Sequence, residues 1–265
     1  MRAFFFVATF TTALQVGTPA SGAAQQPVGA AGWLQAEGFY HDVTNDFGDW
    51  KGAGLRLHAP VGTSTIWNVD AIGQEAFGDR GGYLSIGHRH QFGPSWFTYL
   101  SAGSGTGDFL FPDVRTDFTL GKAWLSRRNL VTMVGMTYVN AKKGFEDFAL
   151  EGSLAMYFPR VVVQAGGRIN WSYPDAVRSG RGFGAVTIGR ERSRTLTIRG
   201  SGGWEGYQLT GVDSTRQRFR SQEGSLAWRE WLGGGGAVGV FLQAEVYHNP
   251  FYDRKGLTLG IFHYW

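Results

Sequence analysis

Val238 to Tyr247 reads VGVFLQAEVY, and its alternation sets the fold class. Val238, Val240, Leu242, Ala244 and Val246 fall on one face, and Gly239, Gln243 and Glu245 on the other. A period of two belongs to a β-strand, whose side chains point alternately to opposite sides. Val161 to Trp171 repeats it, with Val161, Val163, Ala165, Ile169 and Trp171 opposed to Gln164, Arg168 and Asn170. Leu196 to Arg199 and Leu257 to Phe262 alternate in the same way.

Outward from these stretches the pattern recurs in about fourteen segments, near 32–42, 49–59, 65–77, 82–92, 95–103, 113–125, 129–140, 147–158, 161–173, 181–191, 194–206, 219–232, 236–248 and 255–265. Each matches the ~9–11 residues a tilted strand needs to cross a bilayer. No segment beyond Trp33 holds eighteen consecutive apolar residues, which excludes a helical membrane protein. Every other connection is short: PVGTS, FGPS, LSRRN, FPR, RERSR and LGGGG. Those between are mostly longer and richer in Gly, Asp and Asn, such as VTNDFGD, GSGTGDFLFPD and NAKKGFED. That alternation is expected of short periplasmic turns and longer outward loops. The predicted fold is all-β, a single closed antiparallel up-and-down transmembrane barrel of about fourteen strands, with twelve as the alternative count.

Composition agrees. The chain has 265 residues, 41 Gly, 8 Pro and no Cys; aromatics make up 15% and charged residues 17%. That many large apolar groups excludes disorder, and glycine at this level disfavours a helical soluble enzyme. A disulfide scaffold is impossible without cysteine. The net charge of +4 comes without a block of basic residues, so no nucleic acid is expected as partner.

Met1-Arg2 forms a short positive region, Ala3 to Leu14 an apolar one, and Ser21-Gly22-Ala23-Ala24 a small-residue cleavage site. This is the layout of a secretory signal peptide. The expected organisation is a signal peptide over 1–24, a short periplasmic segment over 25–31 and the barrel over 32–265. The expected location is the outer membrane of a Gram-negative bacterium.

Aromatics gather near strand ends. Trp124, Phe158, Trp231 and Trp265 lie at short-turn ends, and Tyr40, Trp50, Phe77, Tyr83, Trp171, Trp204 and Tyr247 at long-loop ends. Two such rings are read as interfacial girdles. The chain stops on a strand whose Leu257, Leu259, Ile261, His263 and Trp265 share one face. It is similar to the terminal strand that outer-membrane barrels present to the assembly machinery.

Asp108-Phe109-Leu110-Phe111-Pro112, then Arg115, Leu120-Gly121, Trp124 and the glycine-containing hairpin strand Val131 to Tyr138, resemble the YaiO family of outer-membrane β-barrels. The terminal strand after Asn249 does too. The resemblance implies an outer-membrane barrel of poorly defined activity, sometimes preceded by a periplasmic repeat domain. About eight residues separate Ala24 from Trp33, so that domain is not expected here. A link to surface glycan export or modification rests on the resemblance alone.

Catalytic and metal signals are thin. The histidines are His41, His58, His88, His90, His248 and His263, with no G-x-S-x-G motif. His88 and His90 share a strand face at a spacing that could bind a metal, and are read as interfacial or structural. His41 gathers with Asp42, Asp46 and Asp49 on a loop read as solvated. No catalytic residue, cofactor or metal is predicted. Polar inward candidates are Gln35, Glu37, Arg56, His58, Asp70, Arg89, Arg115, Asp117, Glu151, Gln164, Arg168, Asn170, Arg199, Gln243 and Glu245. Glu151 is expected directly across from Arg168, in salt-bridge reach. No long loop can be assigned as a constriction plug. The functional expectation is a passive channel or envelope scaffold; the alternative is a barrel enzyme acting on lipid or lipopolysaccharide. Expected partners are outer-membrane lipid and lipopolysaccharide, and the barrel assembly machinery through the terminal strand.

Overall fold

The computed structural model describes residues 5–8, 31–210, 216–233 and 235–265. Most of the expected leader and of segment 25–31 lies outside them. Fourteen antiparallel strands form a closed ring: β1 Trp33–Val43, β2 Trp50–Val61, β3 Thr65–Ala76, β4 Asp79–Phe92, β5 Trp96–Gly105, β6 Val114–Trp124, β7 Leu130–Asn140, β8 Glu146–Tyr157, β9 Val161–Tyr173, β10 Val177–Arg190, β11 Arg194–Thr210, β12 Arg216–Leu232, β13 Val238–His248 and β14 Asp253–Tyr264. Each pairs with its chain neighbours, and β14 closes onto β1 with Leu259 opposite Gly38. Closure leaves no open sheet edge, as backbone in hydrocarbon requires. A four-residue strand at Phe5–Ala8, within the expected leader, pairs with Tyr207–Thr210 outside the ring.

The wall is inverted relative to a soluble barrel. Leu55, Leu84, Ile86, Leu100, Val134, Ile198, Leu226, Leu259 and Ile261 are among the most exposed hydrophobics, Ile261 at 63%. They stand on the face away from the barrel axis, where lipid takes the place of a protein core. The opposite register of each strand points into the lumen and carries the polar side chains.

Loop lengths differ from the expectation at three places, one of them the β11–β12 connection read as EGYQLTGVDSTRQR, where β11 runs on to Thr210 and β12 begins at Arg216. β3 and β4 join through only Phe77-Gly78, both at positive φ (52° and 76°). That is the backbone of a primed two-residue hairpin turn, and a phenylalanine gives no sequence sign of it. The β9–β10 connection is also short, because β10 begins at Val177. Long connections at that end among the described residues are 44–49, 106–113, 141–145 and 249–252; the middle of 141–145 is a 3-10 turn at Lys142–Gly144.

Several aromatics read as girdle residues are not on the outside. Trp50, Tyr83, Tyr247 and Trp231 are buried on the inward register, and Phe77 packs against the cluster that holds the first three, edge-on to Trp50. Trp231 faces Gly239 across the β12–β13 ladder. Trp124, Phe158, Trp265, Tyr40 and Trp204 are exposed on the outer face.

Candidate functional site

The lumen is built in three tiers. At the short-turn end Trp231, Phe262 and Tyr264 pack with Trp33 and Phe241, and a second cluster joins Phe97, Val131, Ala155 and Tyr157. The middle tier is charged. At the long-loop end Val43, Trp50, Ala76, Tyr83, Leu110, Phe111, Tyr247 and Tyr252 form an apolar mouth.

The expected lumen residues all occupy the inward register, and the structure brings several into ion pairs. Arg56 Nη2 lies 2.9 Å from Glu37 Oε1, and its Nε lies 3.9 Å from Asp70. Asp117 accepts from Arg115 (2.9 Å), Thr137 (2.8 Å) and Ser101 (3.1 Å). Glu245 takes Arg254 at 2.9 Å and His41 Nε2 at 3.6 Å. Arg89 and Arg199 instead lie over rings, 4.5 Å from the Phe97 centroid and 4.4 Å from that of Phe183. Gln35 and His58 are buried beside Arg229 and Asn68 respectively. Gln164 and Asn170 stand inward on β9, across from Ala155 and Ala149, and Gln243 donates to Glu245 at 3.1 Å.

One pair was placed correctly but is not bonded. Arg168 is the cross-strand partner of Glu151, yet its Nη2 reaches Asn170 at 3.5 Å and its buried Nε has no partner. The Glu151–Arg168 salt bridge is therefore absent. The guanidinium extends along its own strand rather than across the ladder.

The sequence reading missed a further cluster of the charged tier. Arg181 pairs with Glu205 and, at 3.4 Å, with Glu223; Ser221 also donates to Glu205. Arg254 is sandwiched 4.7 Å from Trp50 and 5.1 Å from Tyr247. Arg254 falls just before the expected strand 255–265, because β14 begins at Asp253; Glu205 lies within the expected strand 194–206 but was not singled out.

The mouth holds the largest surprise. The β5–β6 loop folds into the lumen, so that Leu110 is 2% and Phe111 0% exposed. Phe111 stacks on Tyr83 at 5.8 Å. Room for it comes from Gly81 and Gly105, where an added Cβ would lie 3.0 Å and 2.3 Å from Phe111. Asp79, the first residue of β4, holds the loop. Its Oδ2 accepts the N–H groups of Phe109 (2.9 Å) and Leu110 (2.8 Å), and its Oδ1 those of Asp108 (3.1 Å) and Arg80 (2.7 Å). This end of the hairpin stands above the apolar band, since Glu75 and Arg80 face outward there opposite one another. Burial pushes the Asp79 carboxyl up, but the four backbone donors outweigh it and hold it below the usual carboxylate value. The sign available in the sequence was Phe109-Leu110-Phe111 itself, three apolar residues in an otherwise polar outward loop.

The histidine constellations separate. His41 is inward and engaged with Glu245, whereas Asp42 is exposed on the other register. His88 and His90 face outward, stacked 6.1 Å apart, with His88 against Trp67. Among the described residues no group of three or more potential ligands could hold a metal ion.

The profile of the YaiO membrane beta barrel domain matches residues 34–208. No curated protein matches the sequence. Among solved structures, the CymD monoaromatic hydrocarbon channel superposes with a TM-score of 0.61 at 7% identity, covering 100% of this chain and 95% of that one. A bacterial polysaccharide outer membrane secretin gives 0.54 at 7% identity, covering 88% and 98%. The COG4313 outer membrane channel of Pseudomonas putida F1 gives 0.53 at 11% identity, covering 89% and 96%. At such identities the likeness concerns the fold.

Proposed function

The chain belongs to the YaiO membrane β-barrel family, and on that premise we propose that it is an outer-membrane channel held closed at its outward mouth by its own β5–β6 loop. The observation that carries this reading is the burial of Leu110 and Phe111 inside the mouth, latched on Asp79, above a tier of paired charges. A purely structural barrel fills its lumen with side chains of its own wall and has no need of a loop. A hinged apolar stopper over a polar interior, by contrast, gives two states that differ by the docking of one segment. The fold shared with outer-membrane channels supports the same reading.

Neither of the other readings gains an observation of its own. A surface-glycan role rests on the family resemblance. A lipid-modifying enzyme would need a reactive group at the outer rim, and His41 is engaged in the lumen while His88 and His90 face lipid.

The experiment is planar-bilayer conductance of the refolded protein, alone and with residues 107–111 replaced by a short Gly-Ser link. The wild type should open rarely and the shortened form continuously. A shortened form that folds and never conducts would leave a scaffold as the function.

A further inference from the structure

Two arginines share one indole on the outside of the barrel. Trp204 on β11 faces outward at the long-loop end, 37% exposed. The Cζ of Arg218 lies 4.6 Å from its ring and that of Arg220 lies 5.0 Å away, both on β12, where Arg220 is the cross-strand partner of Trp204. Arg178 on β10 joins them on the same face, two residues beyond Gly180, which also partners Trp204. All three arginines are exposed. Among the described residues none of them forms a salt bridge, and Glu205 and Glu223 on the neighbouring positions of β11 and β12 point inward to Arg181.

Depth identifies the environment. On the outer face of β11, from Trp204 toward the short-turn end, come Gly202, Gly200, Ile198 and Leu196, and then Arg194. Ten residues span roughly 33 Å along a strand and about 25 Å along the membrane normal at a tilt near 40°, the height of the apolar band. Trp204 and Arg194 therefore mark the two interfaces. At the inner one the cation is neutralised within the protein, with Arg194 bidentate to Glu230 at 2.7 and 2.9 Å. At the outer one no described carboxylate does so. Cation–π contact with Trp204 holds the two guanidinium groups at the outer face, where their N–H groups can bind an anion from outside. Arginine favours phosphate because its planar donors match phosphate oxygens two at a time.

We propose that Arg178, Arg218 and Arg220 around Trp204 form a binding site for the phosphate groups of an outer-leaflet glycolipid of the lipid A class. The site rests on the barrel spanning a membrane with its long loops outward. It is independent of whether the lumen conducts.

The test compares the wild type with Arg218→Gln/Arg220→Gln, and with Arg218→Lys/Arg220→Lys, each folded in phosphatidylcholine vesicles. The vesicles are used plain, or doped with bis-phosphorylated lipid A, with dephosphorylated lipid A, or with phosphatidylglycerol at equal charge. Retained lipid is read by native mass spectrometry after extraction. Phosphorylated lipid A should be retained by the wild type and lost about 30-fold in the Gln pair, the factor two interfacial cations supply together. The Lys pair should fall between them, since it keeps charge but not the planar fork. Equal retention by wild type and Gln pair would overturn the site. Equal retention of dephosphorylated lipid A or of phosphatidylglycerol by the wild type would overturn its assignment to glycolipid phosphate. If the Gln pair folds poorly, Trp204→Leu, which removes the stacking platform but keeps all three charges, should weaken retention in the same lipid.

Discussion

Asp79→Asn is expected to loosen the mouth without unfolding the barrel. The wild-type carboxylate receives three N–H groups from the loop, at 2.8, 2.9 and 3.1 Å, and one from Arg80. An asparagine presents one acceptor oxygen and one NH2, so either the Phe109 and Leu110 bonds or the Asp108 and Arg80 bonds are lost, and the remaining two become neutral. Hydrogen bonds to a charged group are worth about 1.5–3 kcal/mol each, against about 1 for neutral ones. Water can reach the freed groups at the rim, which places the net loss near 3 kcal/mol. That raises the ratio of undocked to docked loop by about a hundredfold. Burial of Leu110 and Phe111 still contributes about 2 kcal/mol each, so the docked form stays the majority. Single-channel recording should show openings of unchanged size at about a hundredfold higher frequency, with heat-modified mobility confirming an intact barrel. The pH dependence has a fixed sign. Because the folded carboxyl lies below its ordinary value of 3.8, the latch is fully present above that value and is lost only as pH falls through the depressed one. Acid opening should thus begin below about pH 4 in the wild type and be missing in Asp79→Asn. Opening frequencies equal in the two proteins at neutral pH would refute the latch.

Three further outcomes are expected. The double-mutant cycle Glu151→Gln with Arg168→Gln should give a coupling below about 1 kcal/mol in chemical denaturation, since the two are cross-strand partners without a side-chain ion pair; a value above ~2 would contradict that geometry. Deleting Trp265 removes an exposed aromatic that stacks on His263 and the backbone bond from its N–H to Gly32 O, so the amount of assembled barrel should fall severalfold, while Trp265→Phe should restore most of it; full assembly of the deletion would show that the terminal strand is read otherwise. A membrane-impermeant maleimide should label Asp49→Cys on intact cells and leave Arg127→Cys unlabelled, with the reverse pattern inverting the orientation.

Strand number and placement were legible because lipid outside and water inside impose a strict two-residue alternation over ten or more residues. Val161 to Tyr173 is found with the same limits in sequence and structure. The register of Glu151 against Arg168 was legible too, because the Phe158-Pro159-Arg160 link is too short to permit much choice. Aromatic placement was not. Trp50, Tyr83 and Tyr247 lie at strand ends like true girdle residues, and their inward direction depends on a register that strand-end position alone does not give. The stopper was hidden for another reason. Its latch joins Asp79 to residues 108–110, about thirty positions away, and the backbone groups it uses leave no mark on residue type. Only the apolar Phe109-Leu110-Phe111 and the glycines at 81 and 105 point to it, and each is commonplace alone.

The chain's lack of cysteine permits a direct test of the closed mouth. Leu110→Cys/Ala76→Cys places a thiol on the loop and another on the wall residue of the same buried cluster. Conductance is recorded across one bilayer under oxidant and then under reductant. Silence is expected while the disulfide pins the loop, and openings at least as frequent as in the wild type once it is reduced. Conductance that is the same in both states, with the disulfide shown to be formed, would contradict the claim that this loop closes the lumen.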